Sequence, residues 1–378
     1  MKLLHTSDWH LGALDGDRSL LVDQKFFIDG ICDIATERSV DAVIIAGDVY
    51  DRSVSSAEAI KLYDYAMTRL CNELKKQVII VAGNHDSAER LSSCHELLSA
   101  AGLHISGSLE REISKVSIGN ADIYSIPWIT EEKVKSVFPE HKEDIASLED
   151  AYNVVTTHIK GGFVKGKKNI IVSHAFITDS ETSTSDRAAV IGFATQVSAS
   201  VFDGFDYVAL GHIHKPQNVS GNVRYSGTPM PYSFGKEETQ EKSITVIDTD
   251  DMSMEIVPLT LLHVRKTLSG TLDELLEFDC DEETRKGYLR LQVTDQYVGI
   301  ETLSELRRIY PNLLEVSGKT FDGDDTTVTL TIEELEKLET SPIEVFKHFC
   351  KEEMNEEADN RIIELFEKAI KVTEEAGK

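Results

Sequence analysis

The chain has 378 residues, enough for two domains or for one large domain with an appendage. With 41% hydrophobic and 28% charged residues it has the composition of an ordinary soluble globular protein. Its 66 Asp and Glu against 39 Lys and Arg, a net charge of −27, argue against a chain that holds nucleic acid by its own surface charge.

Lys2-Leu3-Leu4-His5-Thr6 reads as a first strand that runs straight into Ser7-Asp8-Trp9-His10-Leu11-Gly12. Asp8 and His10 stand two residues apart, which puts both side chains on one face of an extended chain. Residues 19–38 show helical spacing of Leu20, Phe27, Ile31 and Ile34. Residues 41–46 form a buried-type strand that opens into Gly47-Asp48-Val49-Tyr50-Asp51. A helix is predicted over 56–74, with Ser55 or Ser56 as its N-cap. The next strand, 77–82, is closed by Gly83-Asn84-His85-Asp86, and a helix over 88–100 follows. Strands alternating with helices imply parallel βαβ units.

Short strands alternate over 102–126, and residues 130–160 read as helical and charged. Residues 169–174 form another buried strand, tipped by His174. A polar loop over 175–197 leads to a strand at 206–210, which opens into Gly211-His212-Ile213-His214. Strand-like runs follow at 223–226, 243–248 and 253–258. Small β–α alternations after residue 262 predict a second domain of about 75 residues. A charged helical segment begins near Pro342, and Glu is concentrated in residues 331–378. Neither an internal repeat nor a low-complexity tract is present. The cysteines, Cys32, Cys71, Cys94, Cys280 and Cys350, are odd in number and scattered, which suits reduced thiols in a cytoplasm. No basic stretch leads into an apolar one at the N-terminus, and no apolar run is long enough to span a bilayer, so neither secretion nor membrane insertion is expected.

Each strand tip carries Asp, His or Asn. Together they supply Asp8, His10, Asp48, Asn84, His174, His212 and His214, with His85 beside Asn84. Taken singly, each residue has a plainer role. A histidine at a strand end is commonly just hydrogen-bonded, Asp51 can cap a helix, and Asn84 can serve a turn. Taken jointly they form a mixed nitrogen and oxygen set, suited to two first-row divalent ions rather than to calcium or a thiolate zinc site. One carboxylate can bridge two ions about 3.5–4 Å apart for attack on phosphorus, and Asp48 on the central strand is the candidate bridge. Residues 161–168 nearly match a P-loop, but Lys168 stands where the hydroxyl residue belongs and a strand follows, so a basic, solvated turn is expected.

The ordered motifs Asp-x-His, Gly-Asp-x-x-Asp, Gly-Asn-His-Asp and Gly-His-x-His resemble those of the calcineurin-like metallophosphoesterase superfamily over residues 1 to 260. Asp8-Trp9-His10-Leu11-Gly12, residues 207–217 and residues 226–234 are similar to the SbcD family, nuclease subunits of bacterial SbcCD complexes that process DNA ends. Ser185-Asp186-Arg187 and residues 196–202 share that resemblance, whereas Phe193 in Ile191-Gly192-Phe193 stands where a second glycine is expected.

The resemblance implies a four-layer α/β sandwich, two β-sheets flanked by helices, over 1–260. A small α/β capping domain at 261–340 and a helical segment at 341–378 would follow. It implies two divalent ions, manganese foremost. Asp8, His10, Asp48 and His214 would hold one, and Asp48, Asn84, His174 and His212 the other. A hydroxide between them would attack in line, with His85 stabilising the transition state and protonating the leaving 3′ oxygen. It further implies double-strand exonuclease and single-strand or hairpin endonuclease activity on DNA, in a bacterial cytoplasm at the nucleoid. The ATPase subunit SbcC would be the partner, in a heterotetramer built on a homodimer with residues 55–100 at the contact.

The second domain offers a strand at 287–293 and a helix at 300–310, but no catalytic set of its own. Arg307 and Arg308 are expected on an exposed helix face. In the last segment Ser341 reads as an N-cap with Pro342 at the first helical position. Val345, Phe346, Phe349 and Cys350, then Ile362, Ile363, Phe366 and Ile370, give two amphipathic helices. These dock either on their own domain or, as the resemblance implies, on SbcC. Two other functions fit the same core: an esterase of small phosphate compounds, and a non-catalytic protein-binding scaffold.

Overall fold

A computed structural model describes residues 1–186, 196–319, 327–331 and scattered positions between 343 and 368. The Ile191-Gly192-Phe193 stretch and most of the 341–378 segment, with its two expected amphipathic helices, lie outside the described residues. The chain divides into two compact units, Met1–Asp15 with Ser19–Leu262, and Gly16–Arg18 with His263–Lys378.

The first unit is built on two six-stranded sheets. One runs in the order Met254–Pro258, Ser243–Asp248, Lys2–Thr6, Ala42–Ala46, Gln77–Val81, Leu103–Ser106. The last four are mutually parallel, as the alternation of strands and helices predicts. Ser243–Asp248 returns antiparallel beside Lys2–Thr6. The other sheet runs Gln217–Ser220, Val223–Tyr225, Tyr207–Gly211, Lys168–His174, Ala121–Ile126, Lys115–Ile118, with its four middle strands parallel.

Alternation along each strand sends side chains to both faces, and both are buried. Leu3, Ala42, Ile44, Ala46, Ile79 and Val81 of one sheet pack with Ala121, Ile123, Ile170, Val172, Tyr207 and Ala209 of the other. On the far side of the second sheet, Tyr124, Ile126, Ile171, Val208 and Leu210 meet Ala151, Tyr152, Val155 and Ile159 of the helix Leu148–Lys160. Val43, Ile45, Val78 and Ile80 are buried on the far side of the first sheet, as are Phe27 and Ile31 of helix Leu21–Glu37 and Leu62 and Ala66 of helix Ala57–Met67. The result is two sheets flanked by helices. Each such Val, Ile or Phe contributes roughly 1.5–3 kcal/mol on burial, so the sandwich is a stiff base for the loops at its edge.

Local departures have local causes. Ser56, not Asp51, caps the helix Ala57–Met67, accepting from the Ala59 N–H at 3.2 Å, and the helix then widens to a π-helical turn over Thr68–Glu73. The helix expected over 88–100 is two pieces, Ala88–Leu91 and His95–Ser99. Cys94 has φ +59°, which no α-helix tolerates, and the Ser92 hydroxyl bonds back to the Ala88 carbonyl at 2.6 Å. Residues 161–167 link the helix Leu148–Lys160 to the strand Lys168–His174 without helix or strand of their own, with Lys168 paired to Asp206 at 3.2 Å, so the P-loop-like sequence is a turn. Gln217–Ser220 is an edge strand that its polar sequence hides.

The second unit has a four-stranded sheet in the order Arg265–Gly270, Tyr288–Val293, Leu313–Lys319, Thr327–Thr331, the last antiparallel to its neighbour. Leu289, Leu291 and Val293 pack against Leu303 and Leu306 of helix Ile300–Ile309 and against Tyr310. The Tyr310 hydroxyl donates to the Leu275 carbonyl at 2.6 Å. Among the described residues no helix is long and apolar enough to cross a membrane.

Candidate metal centre

The parallel strands of both sheets end at one edge of the sandwich, and their following loops are stitched to one another. Backbone N–H groups of Asp8, His10 and Leu11 donate to the carbonyls of Gly47, Asp48 and Val49 at 3.0, 3.0 and 2.9 Å. The Asp86 carboxylate accepts from Val49, Tyr50 and Gly83 N–H at 3.1, 2.9 and 2.9 Å, tying a third loop to the second. The His212 N–H reaches both oxygens of Asp8, at 3.0 and 3.2 Å, and so joins the sheets.

This stitching holds four of the predicted ligands in left-handed backbone: Asp8 at φ 53°, His10 at 44°, Asp48 at 47° and His212 at 101°. Such conformations cost roughly 1–3 kcal/mol each and concentrate where side chains must be aimed. The flanking glycines are a steric requirement. A Cβ on Gly47 would lie 2.2 Å from His174 Nδ1, and one on Gly83 would lie 2.1 Å from Asp48 Oδ1. A Cβ on Gly211 would lie 1.8 Å from the Ala46 oxygen.

Three overlapping groups of potential ligand atoms result, Asp8 with His10 and His214, Asp48 with His174 and His212, and His10 with Asp51 and His85. In the first, His10 Nε2 and His214 Nε2 are 3.2 Å apart. In the second, the Asn84 amide oxygen lies 3.0 Å from His174 Nε2 and 3.0 Å from His212 Nδ1. Asp48 Oδ2 lies between the groups, 3.3 Å from His174 Nε2 and 3.9 Å from His10 Nε2. All seven sequence-predicted ligands are therefore brought together. Asn84 is exposed and the other six are buried.

The donor set fits cations. His174 Nδ1–H donates to the Ala46 carbonyl at 2.9 Å, so in neutral His174 the Nε2 atom is a lone pair facing two oxygens, those of Asn84 and Asp48. Electron-rich atoms gathered in a buried space call for positive charge. The titration behaviour agrees. Burial disfavours a charged His174, yet the Asp48 carboxylate and then Asp8 lift it to about 9. Burial pushes Asp8 up to about 8 and pulls His10 down to about 4 and His212 to about 3. Asp48 is buried too, but His174 and His10 hold it far below the usual carboxylate range.

His85, half-buried, stands beside the ligands. Its N–H donates to Asp48 Oδ1 and its Nδ1–H to the Asp51 carbonyl, both at 2.8 Å. Its ring meets that of His10 edge-on at 4.9 Å. Fixing the proton on Nδ1 leaves Nε2 to accept or deliver a second proton.

Several supporting residues escape a strand-tip reading. Asp51 Oδ1 lies 3.9 Å from His10 Nδ1. Gln24 donates to the His10 carbonyl at 2.7 Å and accepts from the Gly12 N–H at 2.9 Å. The Trp128 ring leans on the His212 ring at 5.2 Å. Behind His214, the partly buried Ser185 and Asp186 and the buried Glu237 and Lys242 form a polar cluster. Asp51 and Asp86 stand in the motifs Gly-Asp-x-x-Asp and Gly-Asn-His-Asp, and Ser185 and Asp186 in a stretch that carries the family resemblance, whereas Gln24, Trp128, Glu237 and Lys242 stand in no motif named above.

Comparison with known proteins places these features. The family model for calcineurin-like phosphoesterases matches residues 1–216. The model described as the type 5 capsule protein repressor C-terminal domain matches residues 260–354. The chain is similar to the SbcD component of the nuclease SbcCD of Staphylococcus epidermidis (strain ATCC 12228 / FDA PCI 1200), with 30% identity over 329 residues that cover 86% of this chain and 87% of that protein. Among solved structures it is similar to Yfce, a phosphoesterase from E. coli, at 14% identity and TM-score 0.27, covering 69% of this chain and all (100%) of that one. It is also similar to a dimetal phosphatase from Danio rerio, at 15% identity and TM-score 0.41, covering 68% of this chain and 96% of that one.

Proposed function

The chain belongs to the calcineurin-like phosphoesterase family, and on that premise we propose that it is the nuclease subunit of an SbcCD-type complex, hydrolysing DNA phosphodiesters with two manganese ions. In this reading Asp8, His10, Asp48 and His214 hold one ion, and Asp48, Asn84, His174 and His212 hold the other. The observation that carries it is the Asp48 carboxylate, whose Oδ2 faces both histidine groups at 3.3 and 3.9 Å.

When bound, the two ions supply Lewis-acid charge at the scissile phosphate and a nucleophilic water of lowered pKa. The chain's own part is orientation and proton handling. Backbone bonds aim Asp8, His10, Asp48 and His212, and Ala46 fixes the His174 tautomer. His85, with Nδ1 anchored on Asp51, presents Nε2 to the leaving 3′ oxygen and protonates it.

Residues 1–260 would be the nuclease domain, 261–340 a cap that shapes access to DNA, and 341–378 the segment that docks on the ATPase subunit SbcC. The activities proposed are exonuclease action on double-strand ends and endonuclease action on single strands and hairpins, in the cytoplasm, by a dimer within a heterotetramer. A chain of net charge −27 needs ions and partner to attract DNA. The isolated chain is therefore expected to bind duplex weakly and in a salt-sensitive way.

The test is degradation of end-labelled linear duplex in manganese, with and without SbcC and ATP, using His85→Ala as control. Cleavage that needs manganese, falls with His85→Ala and strengthens with SbcC and ATP is expected. Failure on DNA with a generic phosphodiester still hydrolysed would move the substrate to a small phosphoester. Failure on both would leave a scaffold.

A further inference from the structure

His174 and His214, one in each group of predicted ligands, are oriented by different means. His174 is held by a backbone carbonyl, that of Ala46. His214 is held by side chains. Its Nδ1 meets the Ser185 hydroxyl at 2.5 Å, and that hydroxyl donates to Glu237 Oε1. Glu237 also accepts from the Ser233 hydroxyl at 3.0 Å and the Tyr232 N–H at 2.8 Å. Its second oxygen pairs with Lys242 Nζ at 3.5 Å, and both side chains are fully buried. Lys242 in turn donates to the His214 carbonyl, Thr228 Oγ1 and Gln240 Oε1 at 3.3, 2.8 and 3.2 Å. The His214 N–H donates to Asp186 Oδ1 at 2.9 Å.

A buried ion pair gives little net stability, since desolvation offsets the attraction, so Glu237 and Lys242 are an inefficient way to fill a core. Their geometry has another consequence. The Ser185 proton is committed to a carboxylate, which can only accept. The Ser185 oxygen must then accept from His214 Nδ1–H, and His214 Nε2 is left as the lone pair. That nitrogen lies 3.2 Å from His10 Nε2, in the group of potential ligands that includes Asp8.

We propose that Glu237, acting through Ser185, is a positioning residue for His214, holding its Nε2 as a donor toward one of the two ions. The relay serves the Asp8, His10 and His214 group and leaves the Asp48, His174 and His212 group alone. It rests on the two-ion reading given above and adds residues whose role lies outside the ligand set. Hydrogen-bond partners of this kind typically govern metal affinity by about 10–100-fold.

The experiment is calorimetric titration of the full chain with Mn2+. Ser185→Ala removes the relay and keeps the Glu237–Lys242 pair intact, which protects the fold. It should weaken one ion by about 10–100-fold while the other stays within about threefold of wild type. The weakened ion should be the one that His214→Gln abolishes and His174→Gln spares. Ser185→Thr, which keeps the hydroxyl, should restore it. Glu237→Gln should weaken the same ion. The relay is overturned if Ser185→Ala binds both ions as wild type does. It is equally overturned if both ions weaken together and the metal-free chain melts lower, the mark of a merely structural role. A wild-type chain that takes up fewer than two Mn2+ would instead strike at the two-ion reading itself, and the relay would fall with it.

Discussion

The two halves of the proposed metal centre are built on different principles. In the half formed by Asp48, Asn84, His174 and His212, the support behind the His174 ring is main chain, the Ala46 carbonyl at its Nδ1. In the half formed by Asp8, His10 and His214, backbone bonds aim Asp8 and His10, but the support behind the His214 ring is side chain, Ser185 with Glu237 and Lys242, and Gln24 adds a side chain beneath His10. A main-chain support survives most substitutions, because every residue supplies the same carbonyl. A side-chain support can be removed one atom at a time. The first half should therefore be robust to everything except changes of backbone shape, and the second should be tunable.

The largest expected effect is one that abolishes the contrast. Asp48 faces both halves, and its Oδ1 also accepts the His85 N–H at 2.8 Å. Asp48→Asn keeps the shape and removes the charge, so both ions and the orientation of His85 should suffer together. Phosphodiester cleavage in manganese should fall by roughly three orders of magnitude or more. Retention of one full-affinity Mn2+ site in that variant would show that the halves share less than the geometry says.

A smaller effect should separate them. Gly47→Ala forces a side chain into φ +88° and a Cβ to within 2.2 Å of His174 Nδ1. Strain of this kind costs roughly 1–3 kcal/mol, readable as a lowered denaturant midpoint with an unchanged slope. The metal defect should be larger at the ion that His174→Gln removes than at the other. Equal weakening of both ions would mean that the edge of the sandwich moves as one body and that the two supports are not independent.

The same contrast explains how much could be read from the residues in order. Each ligand of the main-chain-supported half follows an apolar strand or a glycine at its tip, as Asp48 follows Gly47 and Asn84 follows Gly83. The strand pattern therefore announces position, and the residue type announces chemistry. Ser185, Glu237 and Lys242 follow no strand tip and no repeat. Glu237 and Lys242 lead into Ser243–Asp248, which returns beside Lys2–Thr6 in a pairing across 240 residues that no local window contains, and Ser185 comes from a separate loop 29 residues before His214. The broken helix at residues 92–94 was hidden for a related reason. Ser92-Ser93-Cys94 contains neither Gly nor Pro, and only the left-handed Cys94 reveals the break.

The smallest effect concerns the base on which both halves stand. His5 is fully buried in the first strand, with Nδ1 2.8 Å from the Tyr207 hydroxyl and Nε2 3.1 Å from the Leu210 carbonyl, and it pins that strand to the one that carries His212. Burial, with the nearby Arg224 charge, lowers its pKa from 6.5 to about 3. The sign follows from proton counting. Below 6.5 the unfolded chain takes a proton on His5 and the folded chain refuses it until about 3. Stability is then fully present above 6.5 and is lost as pH falls toward 3, by at most about 1.4 kcal/mol per pH unit in between. Other buried histidines add to the acid sensitivity of the wild type, so the test is a difference. Urea unfolding of wild type and His5→Asn between pH 6 and 4 should give a shallower decline for the variant, whatever its starting stability. Parallel declines would mean that His5 is protonated in the folded chain. The pin between the sheets would then be a charged one, and both halves of the centre would rest on a different electrostatic floor.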